Sequence, residues 1–137
     1  MNVIRTFGLS KTYNHLVVPV NALVNVNLEI AEGEFTAIVG PSGSGKTTLL
    51  NMLGGLDQPT SGQIFIDDTE ITGMKESRLI DFRLRNIGFV FQSYNLIPVL
   101  TAIENVSFIM LLQNYPKDKM EKRARELLDQ VGLADKA

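Results

Sequence analysis

The residues with the clearest chemical purpose are Gly40-Pro41-Ser42-Gly43-Ser44-Gly45-Lys46-Thr47-Thr48. They match the pattern G-x-x-x-x-G-K-[ST] at every fixed position, between an apolar run and a helical pattern. Glycines let the backbone turn its N–H groups inward, forming a concave nest for anionic oxygens. A helix beginning at Lys46 aims the positive end of its dipole at the same place. Lys46 adds a point charge suited to β- and γ-phosphates, and the Thr47 hydroxyl is placed to ligate Mg²⁺. The spacing predicts a nucleoside-triphosphate site, with ATP and GTP not distinguished.

Such a loop works only if a strand and a helix hold it. Phe35–Val39 is a compact apolar run suited to a fully buried parallel strand, and Gly54 and Gly55 close the helix that starts at Lys46. Upstream, Val3–Ser10 and Ala22–Ile30 are strand-like, with Tyr13–Asn21 between them as a loop and Ala31-Glu32-Gly33-Glu34 as a turn. Downstream come a strand at Gln63–Asp67, a turn at Asp67–Thr69, a charged helix at Glu76–Arg85 and a second buried strand at Ile87–Phe91. Thr101 and Glu104 have the spacing of a capping box, opening a helix that runs to about Gln113. Lys117–Val131 is amphipathic, with Met120, Ala124, Leu127, Leu128 and Val131 on one face and Gly132 as its cap. Strand and helix alternate, which predicts an α/β fold with a substantially parallel sheet.

Composition narrows the remaining possibilities. The 137 residues have the length of one domain, and 45 % apolar content excludes global disorder. Thirteen basic against fifteen acidic residues leave no positive field for sequence-blind nucleic-acid binding, so no nucleic-acid partner is expected. There is no cysteine and a single histidine, His15, which rules out disulfides, thiolate metal sites and histidine-rich chemistry. No apolar run approaches the roughly 20 residues of a membrane span, and Met1–Arg5 lacks a secretory leader. The chain is expected to stay in the cytosol.

Further segments carry a family resemblance. They are Leu9-Ser10-Lys11-Thr12-Tyr13, Ala22–Leu28, Gly33–Gly40, Leu49–Asp57, Pro59-Thr60-Ser61-Gly62 and Ile87–Leu96. With the glycine-rich loop they resemble the N-terminal part of the ATP-binding subunit of an ABC transporter. Arg83–Gln92 and Thr101–Val106 are most similar to the lipoprotein-releasing and macrolide-export branch. The resemblance implies a P-loop NTPase core of mixed or parallel sheet with added N-terminal antiparallel strands, binding ATP and Mg²⁺. It implies that Gly40 to Thr48 hold the phosphates, that Tyr13 stacks on adenine, and that Gln92 with Thr47 approaches Mg²⁺.

The resemblance also implies partners. Residues 94–106 correspond to the surface that meets a transmembrane subunit, and a second ATP-binding subunit completes a head-to-tail pair. The chain is then peripheral to the inner or plasma membrane through its partner. Leu96, Ile97, Val99 and Leu100 cluster around Pro98 and suit either such an interface or a loop tucked onto the domain's own core. His15 does not match the family's catalytic histidine and reads as an ordinary loop residue.

The family's LSGGQ signature, its Asp-Glu strand end and its switch histidine are not found in the sequence. Phosphoryl transfer needs positioned metal, water and charge stabilisation together. The expectation is therefore the N-terminal part of a transport ATPase that energises export or lipoprotein release, binding Mg–nucleotide but not turning it over alone. As a truncated subunit it is expected to associate or to be marginally stable. A non-catalytic nucleotide-binding or regulatory module is the alternative. A different P-loop NTPase would have to use Asp67, Asp68 or Glu70, none of which ends a clearly buried strand.

Overall fold

The computed structural model describes residues 1–14 and 18–136. The chain forms two compact units, Met1–Arg83 and Leu84–Ala137.

In the first unit, β1 (Asn2–Tyr13) and β2 (Val20–Ala31) form a long antiparallel pair. β3 (Ser61–Ile66) joins the other edge of β1, and β4 (Thr69–Glu70) closes a hairpin on β3, giving the order β2-β1-β3-β4. The hairpin turn is Asp67-Asp68, with φ 45° and 60°, the conformation a two-residue type I′ connection requires. Asp68 then reaches back to Arg5 on β1 as an ion pair. A register shift between Thr6 and Leu9 breaks the strict two-residue alternation, so both face inward although they are three positions apart. Thr6 is satisfied there by donating its hydroxyl to the Val26 carbonyl, 3.1 Å away.

Helix α1 (Lys46–Leu53) buries Leu49, Met52 and Leu53. Met52 converges with Ile64 and Ile71 on a crevice too narrow to admit water. Helix α2 (Glu76–Asn86) buries Leu79, which lies over Gly55, while Arg83 donates to the Gly55 carbonyl at 2.7 Å. Thus the end of α1 is held by both packing and a charge-assisted hydrogen bond.

The second unit contains α3 (Ala102–Leu112), α4 (Lys117–Gln130) and a short 3₁₀ turn at Ala134–Lys136. Met110, Ala124 and Leu128 are its buried apolar residues. The capping box at Thr101 forms as the spacing predicts. Thr101 Oγ1 accepts from the Glu104 N–H at 3.3 Å, and Glu104 Oε2 accepts from the Thr101 N–H at 2.8 Å. The Thr101 N–H and hydroxyl hold the Glu104 carboxyl below its ordinary value of 4.5. A lowered pKa means that this contribution is complete above 4.5 and is lost as pH falls through the folded value. Thr101→Ala is expected to cost about 1 kcal/mol in the opening of α3 at neutral pH, read by amide exchange, with a smaller difference from wild type near pH 3.

Four sequence expectations are corrected. Phe35–Val39 and Ile87–Phe91 are not buried strands. Neither joins a ladder among the described residues, and Phe35 and Val90 are fully exposed. Apolar character suits a segment to a sheet interior, but hydrogen-bonded neighbours make it a strand, and no described residue supplies them. Phe89 and Phe91 instead stack on each other, centroids 5.5 Å apart. The loop between the first strands is shorter than Tyr13–Asn21, because pairing extends to Tyr13 and Val20. His15 lies outside the described residues. Val131 is 68 % exposed because α4 ends at Gln130, where the Gly132 and Leu133 N–H groups cap Asp129 and Leu128.

The fold is α/β with an incomplete core: among the described residues, the first unit carries a sheet whose ladders are all antiparallel, with α1 and the start of α2, and the second unit carries α3 and α4.

Candidate functional site

The glycine-rich loop sits in the first unit, where α1 begins. Gly45 precedes that helix with φ 90°, a left-handed value that an L-residue adopts only under strain. A Cβ at this position would stand 2.5 Å from the Ala22 carbonyl oxygen, so β2 and the loop approach as closely as backbones can. No side chain caps α1, which leaves its first amides directed at whatever occupies the loop. Ser44 closes a turn by donating its N–H to the Pro41 carbonyl at 3.3 Å.

Lys46 spans this loop. Its ammonium donates to the carbonyls of Gly40 and Pro41, at 2.9 and 2.7 Å, and to Ser44 Oγ at 3.4 Å. A cation held by three neutral oxygens at an exposed position can be drawn toward an anion without leaving a buried group unpaired. Ser42, Gly43, Gly45, Lys46, Thr47 and Thr48 line a cavity of about 280 Å³ together with Val20, Asn21 and Ala22. That volume suits the phosphate end of a nucleotide rather than the whole molecule. A larger cleft of about 450 Å³, bordered by Gly55, Asp57 and Arg83, contains none of the loop residues.

The residues singled out in the sequence are only partly brought together. Six of the nine loop residues face the cavity, and Gly40, Pro41 and Ser44 support it through Lys46. Tyr13 ends β1 and pairs in register with Val20, which is itself on the cavity rim. Its hydroxyl donates to Asp57 Oδ2 at 2.9 Å. Gln92 is exposed and belongs to the second unit. Sequence reasoning missed Asn21 and Ala22 on the rim, and Lys11 and Asp57 beside Tyr13. No local motif marks these, since pairing and packing bring them close.

Residues 94–106 present a mixed surface. Tyr94, Leu96 and Val99 are exposed, whereas Ile97 and Leu100 are half-buried. Asn105 organises the segment, its side-chain amide donating to the carbonyls of Ile97, Leu100 and Thr101 at 3.0 to 3.2 Å and accepting from the Ile97 N–H at 2.8 Å.

The sequence family described as "ABC transporter" matches residues 23–137, which includes the whole loop. The chain belongs to the ABC transporter family. An uncharacterised ABC transporter ATP-binding protein of Thermotoga maritima is 51 % identical over 126 residues, covering 92 % of this chain and 54 % of the relative. The lipoprotein-releasing system ATP-binding protein LolD of Bacteroides fragilis is 45 % identical over 130 residues, covering 95 % of this chain and 58 % of LolD. Among solved structures, the dimeric ATP-binding cassette MJ0796 bound to ADP and Pi, a Methanocaldococcus jannaschii protein, superposes with a TM-score of 0.86 at 43 % identity. That match covers 92 % of this chain and 56 % of the cassette. The ABC chain described here thus spans about half the length of the relatives it matches.

No helix among the described residues is long and apolar enough to cross a membrane. Nor do the described residues include a group of three or more His, Asp or Glu able to hold a metal ion.

Proposed function

We propose that this chain binds Mg–ATP as the N-terminal portion, residues 1–137, of an ABC transporter ATP-binding domain, without turning it over alone. The observation that carries the reading is the Lys46 ammonium, held over a cavity walled by Gly43, Gly45 and the start of α1. The loop amides and Lys46 receive the phosphates, with Gly40, Pro41, Ser42, Ser44 and Thr48 shaping and lining the nest. Thr47 holds Mg²⁺, and the ion, when bound, offsets the negative charge of the β- and γ-phosphates. Tyr13 stacks on the base, supported by its pairing with Val20 on the cavity rim. Gln92 keeps the role the family pattern implies, an uncharged amide responsive to Mg–nucleotide.

The partners follow from the same reading. Tyr94, Leu96 and Val99 offer exposed apolar surface to a transmembrane subunit, within residues 94–106. A second ATP-binding subunit is the other partner, and the similar cassette MJ0796 is itself dimeric. The complete assembly would energise export or lipoprotein release from the cytoplasmic face of the membrane.

The test is to measure labelled-ATP binding and phosphate release on the chain as it stands. Mg²⁺-dependent binding with negligible release is expected. Lysine-dependent release at ordinary ATPase rates would contradict the non-turnover part, and no binding at all would remove the whole reading.

A further inference from the structure

Lys11, Tyr13 and Asp57 form a closed cluster that the phosphate site does not use. The two-residue repeat of β1 places Lys11 and Tyr13 on one face. Lys11 Nζ donates to Asp57 Oδ1 at 2.7 Å and to the Gln58 carbonyl at 2.6 Å. The same ammonium lies 4.9 Å from the centroid of the Tyr13 ring, within cation–π range. Tyr13 donates its hydroxyl to the other oxygen of Asp57, at 2.9 Å, and the Gln58 N–H adds a third donor at 2.7 Å. Only 13 % of the Lys11 side chain and 32 % of that of Asp57 are exposed. Partial burial pushes the Asp57 carboxyl up, but Lys11, Tyr13 and the Gln58 N–H outweigh it and hold the group below its ordinary value.

We infer that Lys11 and Asp57 are positioning residues for nucleotide binding, acting through the Tyr13 ring. The cluster restrains the ring twice, at the hydroxyl and across a face, and so sets the plane on which a base stacks. It also joins the two ends of the site. Asp57 lies in the turn after α1, the helix that starts with Lys46 and Thr47, while Tyr13 pairs with Val20 on the cavity rim. A stacking platform held in place before binding loses less side-chain freedom when the base arrives.

This inference rests on the proposed ATP site, and two ligands separate the two claims. MgATP engages the loop and the ring, whereas magnesium tripolyphosphate engages the loop alone. Their affinities are to be measured calorimetrically on the full chain for wild type, Tyr13→Ala, Tyr13→Phe, Asp57→Asn and Lys11→Met. Wild type is expected to bind MgATP roughly tenfold more tightly than tripolyphosphate, and Tyr13→Ala to remove that margin. Asp57→Asn and Lys11→Met are expected to weaken MgATP roughly fivefold with tripolyphosphate unchanged, and Tyr13→Phe, which keeps the ring, to behave in the same way. Equal weakening of both ligands marks a purely structural cluster and overturns the inference, as does wild-type MgATP affinity in Asp57→Asn. Equal affinity of wild type for both ligands overturns it too but leaves the loop assignment standing, while failure to bind either overturns the proposed function itself.

Discussion

Lys46→Ala is expected to weaken MgATP binding by two to three orders of magnitude. Each charge-assisted hydrogen bond to a phosphate oxygen contributes about 1.5–3 kcal/mol, and the ammonium can make two. Their loss corresponds to about 100-fold or more in Kd. The same change is expected to leave the melting temperature within a few degrees of wild type. The partners of Lys46 in this structure, the Gly40 and Pro41 carbonyls and Ser44 Oγ, sit at an exposed part of the loop, so water replaces the ammonium there. Lys46→Arg keeps the charge but not the shape. A planar fork does not fit where a compact ammonium sits among three oxygens, so arginine is expected to restore only part of the affinity. Equilibrium binding of labelled ATP, with a thermal melt of each variant, checks both expectations. Unchanged binding in Lys46→Ala would show that the loop does not hold phosphate through this residue.

Gly62→Ala is expected to be the most damaging single methyl in the first unit, costing about 3 kcal/mol or more of unfolding free energy. Gly62, the second residue of β3, has φ 92° and faces the point where the register of β1 shifts between Phe7 and Ser10. A Cβ there would lie 2.5 Å from the Gly8 carbonyl oxygen and 2.6 Å from the Leu9 Cα. These are backbone atoms of the central strand, beside the fully buried Leu9, and they cannot move aside as a flexible side chain does. Gly33→Ala is the control. Gly33 has φ 76° with nothing within 4 Å of an added Cβ, so it carries only the backbone strain, about 1–2 kcal/mol. Urea denaturation of the two variants separates clash from strain. Equal losses would show that the strand approach at Gly62 relaxes freely.

The positions of these two residues show how unevenly the structure is written in the sequence. The loop around Lys46 is legible because every requirement is local: a glycine with positive φ, a helix start, a cation and a hydroxyl within one turn. The capping box at Thr101 and Glu104 is legible for the same reason. The demand at Gly62 is not legible locally, since it arises from a bulge in a strand more than fifty residues earlier. Phe35–Val39 and Ile87–Phe91 carried a strong strand pattern, yet neither enters a ladder among the described residues. A hydrophobic pattern reports what a segment needs to bury, and the ladder depends on other segments being present beside it.

The sequence by itself determined the phosphate-loop motif, its helix start, and the presence of the two N-terminal strands and of the helices α1 to α4, because these follow from neighbours within a few residues. Tertiary structure alone decided that Lys11 and Asp57, 46 residues apart, share the Tyr13 ring, and that Val20, Asn21 and Ala22 form the rim of the loop. It also decided which apolar runs are buried. Such facts depend on strand register and on helix packing, in which distant segments choose each other, and no spacing along the chain encodes that choice locally.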